Sequence, residues 1–360
     1  MKTAIVLFNL GGPDGPAAVE PFLANLFGDP AILDVPGFLR PWLARTIARR
    51  RAPKAREIYD RLGGGSPLLS NTAEQANALE AALAVLGSGD EVRCFVAMRY
   101  WHPLTDDAAR AVATWEPDRI LLLPLYPQYS TTTTESSLRL WHQEAAKAGI
   151  AVPTKTICCY PTEDGFIDAL VAEIETARAT LPEDANPLYL FSAHGLPKRT
   201  QKKRRDPYPA QVQMTADALV KRLGLRRENY YVCYQSRVGP VEWIRPYTDE
   251  CVIEAGMQSR AVLMVPIAFV SEHSETLVEL DIDLRRLADR AGAPGYARAQ
   301  TVGTHPRFIA GLAGMVRRTL DAMQPIASES GPRLCPADCT CGQAVFEHSG
   351  MARDANRRAA

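Results

Sequence analysis

Residues 188–197 read LYLFSAHGLP: a continuous apolar run, a serine, a histidine, and a forced turn. Runs apolar on both faces belong to parallel strands covered by helices on either side. Gly195 and Pro197 turn the chain just beyond His194, so its imidazole is expected at a strand mouth. The same punctuation recurs. In the first half one run ends in NLGGP (9–13), the next in MRYWHP (98–103), and the third passes through a proline into LPLYPQYSTTTTESSL (123–138). In the second half the order is FSAHGLP (191–197), CYQSRVGP (233–240) and VPIAFVSEHSETL (265–277).

Working outward, strands are expected at Ala4–Leu10, Glu91–Met98, Ile120–Leu125, Thr154–Cys159, Leu188–Ser192, Tyr230–Gln235 and Ala261–Phe269. Between them Thr72–Leu86, Leu138–Ala148, Gly165–Thr180 and Gln211–Leu223 carry apolar residues at helical spacing. This alternation specifies an α/β chain built as two similar Rossmann-like lobes, each a doubly wound parallel sheet flanked by helices. The expected divisions are 1–182 for the first lobe, 183–325 for the second, and 326–360 for a cysteine-containing extension. Ligands of such sheets sit beyond the carboxyl ends of the strands. Asn9, Arg99, Tyr100, His102, Tyr126 and Tyr129 from one lobe should therefore face Ser192, His194, Gln235, Ser236, Glu272, His273 and Glu275 from the other. Aromatics, histidines and carboxylates together suit a large flat ligand and a metal.

Bulk properties narrow the field. The 360 residues carry 41 basic and 41 acidic side chains, so no net field gathers nucleic acid, and no nucleic-acid partner is expected. Basic runs at Arg45–Arg56 and Lys198–Arg205 read as solvated faces. The first apolar run is too short for a signal and ends in Gly-Gly-Pro. No stretch approaches the roughly 18–20 apolar residues of a membrane span. A cytoplasmic protein is expected. Pro36–Arg51 sets Phe38, Leu39, Trp42, Leu43 and Ile47 among arginines, which fits a peripheral membrane contact or, equally, core packing. Leu62-Gly-Gly-Gly-Ser-Pro lacks the Gly-Lys-Ser/Thr ending of a phosphate loop, so a nucleotide site is not expected.

Glu275, Glu279 and Asp283 are spaced i, i+4, i+8 and form one carboxylate ridge on a helix. Such a row is ordinarily a solvated face. Beside His273 at a strand mouth it can also relay protons or a hard divalent cation, and ferrous iron accepts both carboxylate and imidazole. Cys94, Cys158, Cys159, Cys233 and Cys251 lie in apolar segments, whereas Cys335, Cys339 and Cys341 cluster near the C-terminus. In a reducing compartment that cluster argues for a metal or iron–sulfur centre over disulfides.

The strings NLGGP, RLGGGSPL, MRYWHPL, YPQYS, FSAHGLP, DPYPAQ, YQSRVGP and VPIAFVSEHSETLVELDID, in this order over about 1–325, resemble the ferrochelatase family. The resemblance implies insertion of Fe2+ into protoporphyrin IX, the terminal step of haem synthesis. Coproporphyrin III, or cobalt or nickel insertion into another tetrapyrrole, are the alternatives. It assigns catalysis to His194 and Glu275, and metal handling to His194, Glu275, Glu279 and Asp283. It gives Leu10, Arg99, Tyr100, Ser130, Trp243 and Phe269 to the porphyrin pocket; animal enzymes have methionine where Leu10 stands. Because arginine matches carboxylates bidentately, Arg99, Tyr100 and other polar groups are expected to hold the propionates. A non-catalytic tetrapyrrole carrier has no need of a carboxylate relay, and an iron–sulfur oxidoreductase would need an electron-transfer site that the chain does not display. The tail is similar to that of members carrying a 2Fe-2S cluster, which needs four thiolates. Cys335, Cys339 and Cys341 supply three, and Thr131 occupies the place of the internal cysteine of animal forms. Cys158 or Cys159 completes the set; strand alternation lets only one reach the tail, and Cys158 is favoured, with zinc or free thiols as the competing reading. Monomer and homodimer both remain open.

Overall fold

A computed structural model describes residues 1–85, 89–329, 331 and 334. Among these residues nine strands form two parallel sheets: β1 (Lys2–Asn9), β2 (Glu91–Met98), β3 (Arg119–Pro124), β4 (Thr154–Ile157), β5 (Leu188–His194), β6 (Tyr230–Gln235), β7 (Val262–Pro266), β8 (Tyr296–Arg298) and β9 (Ile326–Ala327). The first sheet has the order β2-β1-β3-β4-β9 and the second β6-β5-β7-β8. Each half thus repeats one winding, second-first-third-fourth, as the threefold recurrence of strand ends requires.

The central strands are buried on both faces, which is why their sequences are continuously apolar; Thr3 through Phe8 of β1 are inaccessible to solvent. One face of each sheet turns toward the other. A single core joins Ile5 and Leu7 of the first sheet to Phe191 and Val265 of the second through Phe166, Leu170, Val212 and Phe308 on intervening helices. Outer layers close the far faces: Trp141 and Leu138 over Val6 and Phe8, and Val252 and Ala255 over Leu190 and Met264.

After β8 the chain returns to the first sheet. The helix Pro306–Asp321 packs beside Asp164–Arg178 and Leu68–Val85, and β9 adds to β4 through Thr156 and Ile157. Lys155 ties this return, its ammonium donating to the carbonyls of Leu320 and Ala322 at 2.6 and 2.5 Å. The stretch after residue 325 thus begins against the first lobe.

The segment carrying the acidic row departs from expectation. Glu275–Leu284 is wound as a π-helix and relaxes to an α-helix only over Arg285–Arg290. π-turns are rare and recur at functional sites. No helix among the described residues is long and apolar enough to cross a membrane.

Candidate active site

His194 ends β5 and Gln235 ends the adjacent β6 in register with it. Gly195 follows because a side chain there would lie 3.0 Å from the Gln235 carbonyl and 3.1 Å from the Trp243 ring. Beyond Gln235, Ser236 adopts a left-handed backbone (φ 64°), which turns its N–H toward the π-helix. That N–H donates to Glu279 Oε1 at 2.8 Å, and the Ser236 hydroxyl donates to Glu279 Oε2. The first turn of the π-helix sets Glu275 Oε2 2.9 Å from His194 Nδ1 and 3.7 Å from His273 Nε2. Ser192, one layer below, donates to Gln235 Oε1 at 2.7 Å and fixes that amide beneath the site.

The charges follow from this geometry. Burial works to neutralise both partners of the pair, but each holds the other charged. Burial alone would raise the Glu275 carboxyl, yet the His194 charge, its hydrogen bond and His273 hold it far below the usual carboxylate range. Burial would likewise lower the His194 imidazole, and the Glu275 charge and hydrogen bond outweigh it and raise the value. Glu279 goes the other way: burial and then the neighbouring Glu275 charge raise its carboxyl above the usual range. The result is an imidazolium–carboxylate pair with a second, more proton-retentive carboxyl one turn along the same helix.

The pair opens into a cavity of about 1360 Å³ between the lobes, larger than the roughly 300–1,000 Å³ of ordinary ligand pockets. Leu10, Phe27, Ile47, Leu125, Tyr126 and Ser130 line it from the first lobe, and Trp243, Phe269 and His273 from the second. Trp243 stands edge-on to His194, with ring centroids 6.3 Å apart, and Phe269 lies 4.6 Å from His273. Much of the wall is apolar and aromatic, His194, His273 and Glu275 converge at one point, and basic side chains border the remainder. Leu10, Ser130, Trp243, Phe269, His194 and Glu275 therefore come together as the sequence led us to expect.

His102, Tyr129 and Glu272, expected at the cleft, do not line it; they meet Asp107, Glu135 and Arg298 instead. Three of the residues that the resemblance assigned also stand elsewhere. Arg99 and Tyr100 do not line the cavity. Asp29, fully buried, takes a hydrogen bond from Arg99 Nη2 at 2.7 Å and another from the Tyr100 hydroxyl at 2.8 Å. Desolvating that carboxylate demands donors, and these two side chains supply them. Arg99 instead borders a separate, open hollow of about 700 Å³ with Arg40 and Arg45. Asp283 is the third: it reaches the surface and pairs with Arg61 at 2.9 Å, so the ridge runs from the cavity to solvent. Among the described residues no three His, Cys, Asp or Glu side chains are grouped to hold a metal.

The run Lys198–Arg205, expected as a solvated face, is largely exposed, and Lys198, Arg199, Lys202 and Lys203 also border the cavity. The available signal was position: the run begins four residues after His194.

Cys158 and Cys159 are buried just past the end of β4. Strand alternation does not separate them there, and their sulfurs lie 3.5 Å apart. Thr131 is tied to buried Asp206 through its N–H at 2.8 Å and its hydroxyl at 2.6 Å. Cys335, Cys339 and Cys341 lie outside the described residues.

Two sheets wound alike around a cleft with a histidine and carboxylates at its floor define the chelatase class of fold. The solved structure of SirB from Bacillus subtilis with Fe3+ shares it, with TM-score 0.52 and 14% identity, covering 89% of this chain and 96% of that one. The ferrochelatase family model matches residues 2–320. Curated ferrochelatases of Caulobacter vibrioides and Pelagibacter ubique are 50% and 46% identical, over 94% and 88% of this chain and 97% and 91% of their own. That of Rickettsia bellii is 42% identical over 94% of this chain and 95% of its own length. The chain belongs to the ferrochelatase family and is a metal chelatase, a lyase.

Proposed function

We propose that this protein inserts Fe2+ into protoporphyrin IX at the His194–Glu275 pair. The observation that carries the reading is the pair itself, a 2.9 Å imidazole–carboxylate contact at the floor of an aromatic cavity large enough for a tetrapyrrole. Insertion removes two protons from pyrrole nitrogens and makes four iron–nitrogen bonds, with no change in oxidation state. His194 and Glu275 face the ring centre and take up the protons; because the resting pair already holds one, it must pass protons on. Glu279, one turn away with its raised affinity for a proton, is the next acceptor. Asp283 at the surface is the outlet, or the point at which aquated iron is first met. The aromatic and apolar side chains around the pair, Leu10, Trp243 and Phe269 among them, favour an apolar macrocycle, hence protoporphyrin over coproporphyrin. Anaerobic steady-state assays with ferrous iron should give a higher kcat/KM for protoporphyrin IX than for coproporphyrin III, and the reverse ratio would reassign the substrate.

A 2Fe-2S cluster on Cys158, Cys335, Cys339 and Cys341 belongs to the same reading. Its support is positional: β9 pairs with β4, the strand that Cys158 follows, and Leu334 packs against the side chains surrounding Cys158 and Cys159. The thiolate set suits such a cluster, which when bound supplies a one-electron centre that insertion does not use. Its contribution here is to fasten the tail to the first lobe. Protein isolated without oxygen should be reddish-brown with about two irons and two sulfides per chain; a colourless, zinc-bearing tail would end this part of the reading.

The contact with a membrane is carried by Phe38 and Trp42, 83% and 67% exposed, at the head of the helix Arg40–Asp60. That helix turns Ala44, Ala48 and Ala52 inward, so its aromatics and arginines are left outward beside the cavity mouth. Such a face rests on an anionic lipid surface while an apolar porphyrin passes. Charge reversal at Arg45 and Arg49 should reduce cosedimentation with anionic liposomes, and unchanged partitioning would remove the membrane from the account.

A further inference from the structure

Cys158 and Cys159 follow β4, and one apolar cluster encloses both. Their sulfurs lie 3.5 Å apart, within reach of an S–H···S hydrogen bond. Their surroundings tell the two apart. The Cys158 N–H donates to the Ala327 carbonyl at 2.8 Å, which joins this residue to β9, the strand that leads toward the C-terminal cysteines. The Cys159 sulfur is met from the other lobe. Gln211 Nε2, on the helix Tyr208–Leu223, donates to it at 3.4 Å.

That donor is fixed in identity and in place. Gln211 Oε1 accepts the Tyr129 N–H at 2.7 Å, and this leaves the amide nitrogen for the sulfur. One turn along the same helix Thr215 donates to the Pro161 carbonyl at 2.7 Å, so the helix meets the loop after Cys159 at a second point. A thiol can accept one hydrogen bond and give another. Accepting from Gln211, Cys159 has its S–H to give, and the Cys158 sulfur stands in range. A cysteine that binds metal does so as thiolate. With Cys158 as the ligand, the proton between the two sulfurs can come only from Cys159.

We propose that Cys159 is not a cluster ligand but a hydrogen-bond donor to the ligand Cys158, and that this bond raises the reduction potential of the 2Fe-2S cluster. The proposal rests on the cluster reading given above. Reduction adds one electron, and its negative charge spreads over the sulfurs. A proton aimed at a ligand sulfur stabilises that added charge, which is how hydrogen bonds to sulfur set such potentials. Burial sharpens the effect, because both side chains are shut off from water and no solvent proton competes. The Gln211 N–H draws electron density from the Cys159 sulfur and makes its S–H the stronger donor. Cys159 is thus a positioning residue, placed by the second lobe and acting on a ligand held by the first.

The test is a dye-mediated redox titration of the full-length protein, purified without oxygen and followed by the visible absorption of the cluster. The variants are Cys159→Ala, Cys159→Ser and Cys158→Ala. Cys159→Ala should keep its colour and about two irons per chain, with the midpoint shifted to lower potential. Cys159→Ser restores a donor and should bring the midpoint back toward that of the wild type, a recovery that lost packing alone would not give. Cys158→Ala should be colourless. A colourless Cys159→Ala protein, a coloured Cys158→Ala protein, or a Cys159→Ala midpoint equal to that of the wild type would each overturn the proposal. A wild-type protein without the cluster absorption would instead refute the cluster reading on which it rests.

Discussion

The two lobes share one winding and use it oppositely. At the strand ends of the first lobe the polar groups turn inward: Asn9 donates to Thr72 at 3.0 Å, and Arg99 and Tyr100 serve buried Asp29. What that lobe shows the cavity is mainly apolar, from Leu10 to Leu125. At the strand ends of the second lobe His194, Ser236, His273 and Glu275 remain turned to the cavity; both histidines meet Glu275, and Ser236 holds Glu279. A duplicated sheet thus gives one wall that only holds a macrocycle and one that also works on it. The lesson is that a polar residue at a strand mouth becomes available for chemistry only when no buried group claims it.

The division makes graded demands on the second lobe. Glu275→Gln keeps the shape and removes the charge, and it should lower kcat by about 10²–10³-fold, in the range that general acid–base groups supply. It should also move the pH profile. In the wild type His194 retains its proton to a raised pH, so the base form and the rate grow as pH rises through that value. Without the Glu275 charge only the smaller pull of Glu279 opposes burial, and the acid limb of kcat should shift to lower pH; a limb that stays in place or moves up would break the pairing.

Next in size is the clamp behind the π-helix. Arg298, its side chain only 6% exposed, donates to Glu272 at 2.8 Å and grips both oxygens of Asp281 at 2.7 Å. Glu272 immediately precedes His273, and Asp281 lies on the π-helix itself, so one guanidinium holds both ends of the catalytic segment. Arg298→Met leaves two carboxylates facing each other and should cost about 3 kcal/mol in denaturant unfolding, with kcat reduced less than by Glu275→Gln. A loss under about 1 kcal/mol would mean that packing, and not the clamp, sets the helix. The smaller effects grade the ridge: Glu279→Gln should lower kcat about tenfold, and Asp283→Asn less than twofold, because Asp283 already spends its charge on exposed Arg61. Equal losses at both would return the row to a single relay.

Much of this was legible in the sequence, for physical reasons. Strands buried on both faces, β1 and β7, announce themselves as apolar runs, and even the edge strands Glu91–Met98 and Tyr230–Gln235 have the expected bounds. β8 and β9, three and two residues long, are too short for any periodicity to register. His194 was readable because a turn must follow it. The internal use of Arg99 and Tyr100 was not, since the claimant, Asp29, lies 70 residues away in the chain. Nor was the π-helix, because acidic residues four apart satisfy either winding. The basic helix after His194 is solvent-exposed as expected; that it also borders the cavity was not legible, because charge in a sequence shows no direction.

The most direct test of the division between a holding wall and a working wall is one sample of His194→Ala, assayed anaerobically for porphyrin binding by fluorescence and for single-turnover iron insertion by absorbance. We predict protoporphyrin affinity within a few-fold of wild type and insertion slowed at least about 100-fold. Insertion at more than about a tenth of the wild-type rate, with porphyrin bound, would contradict the account.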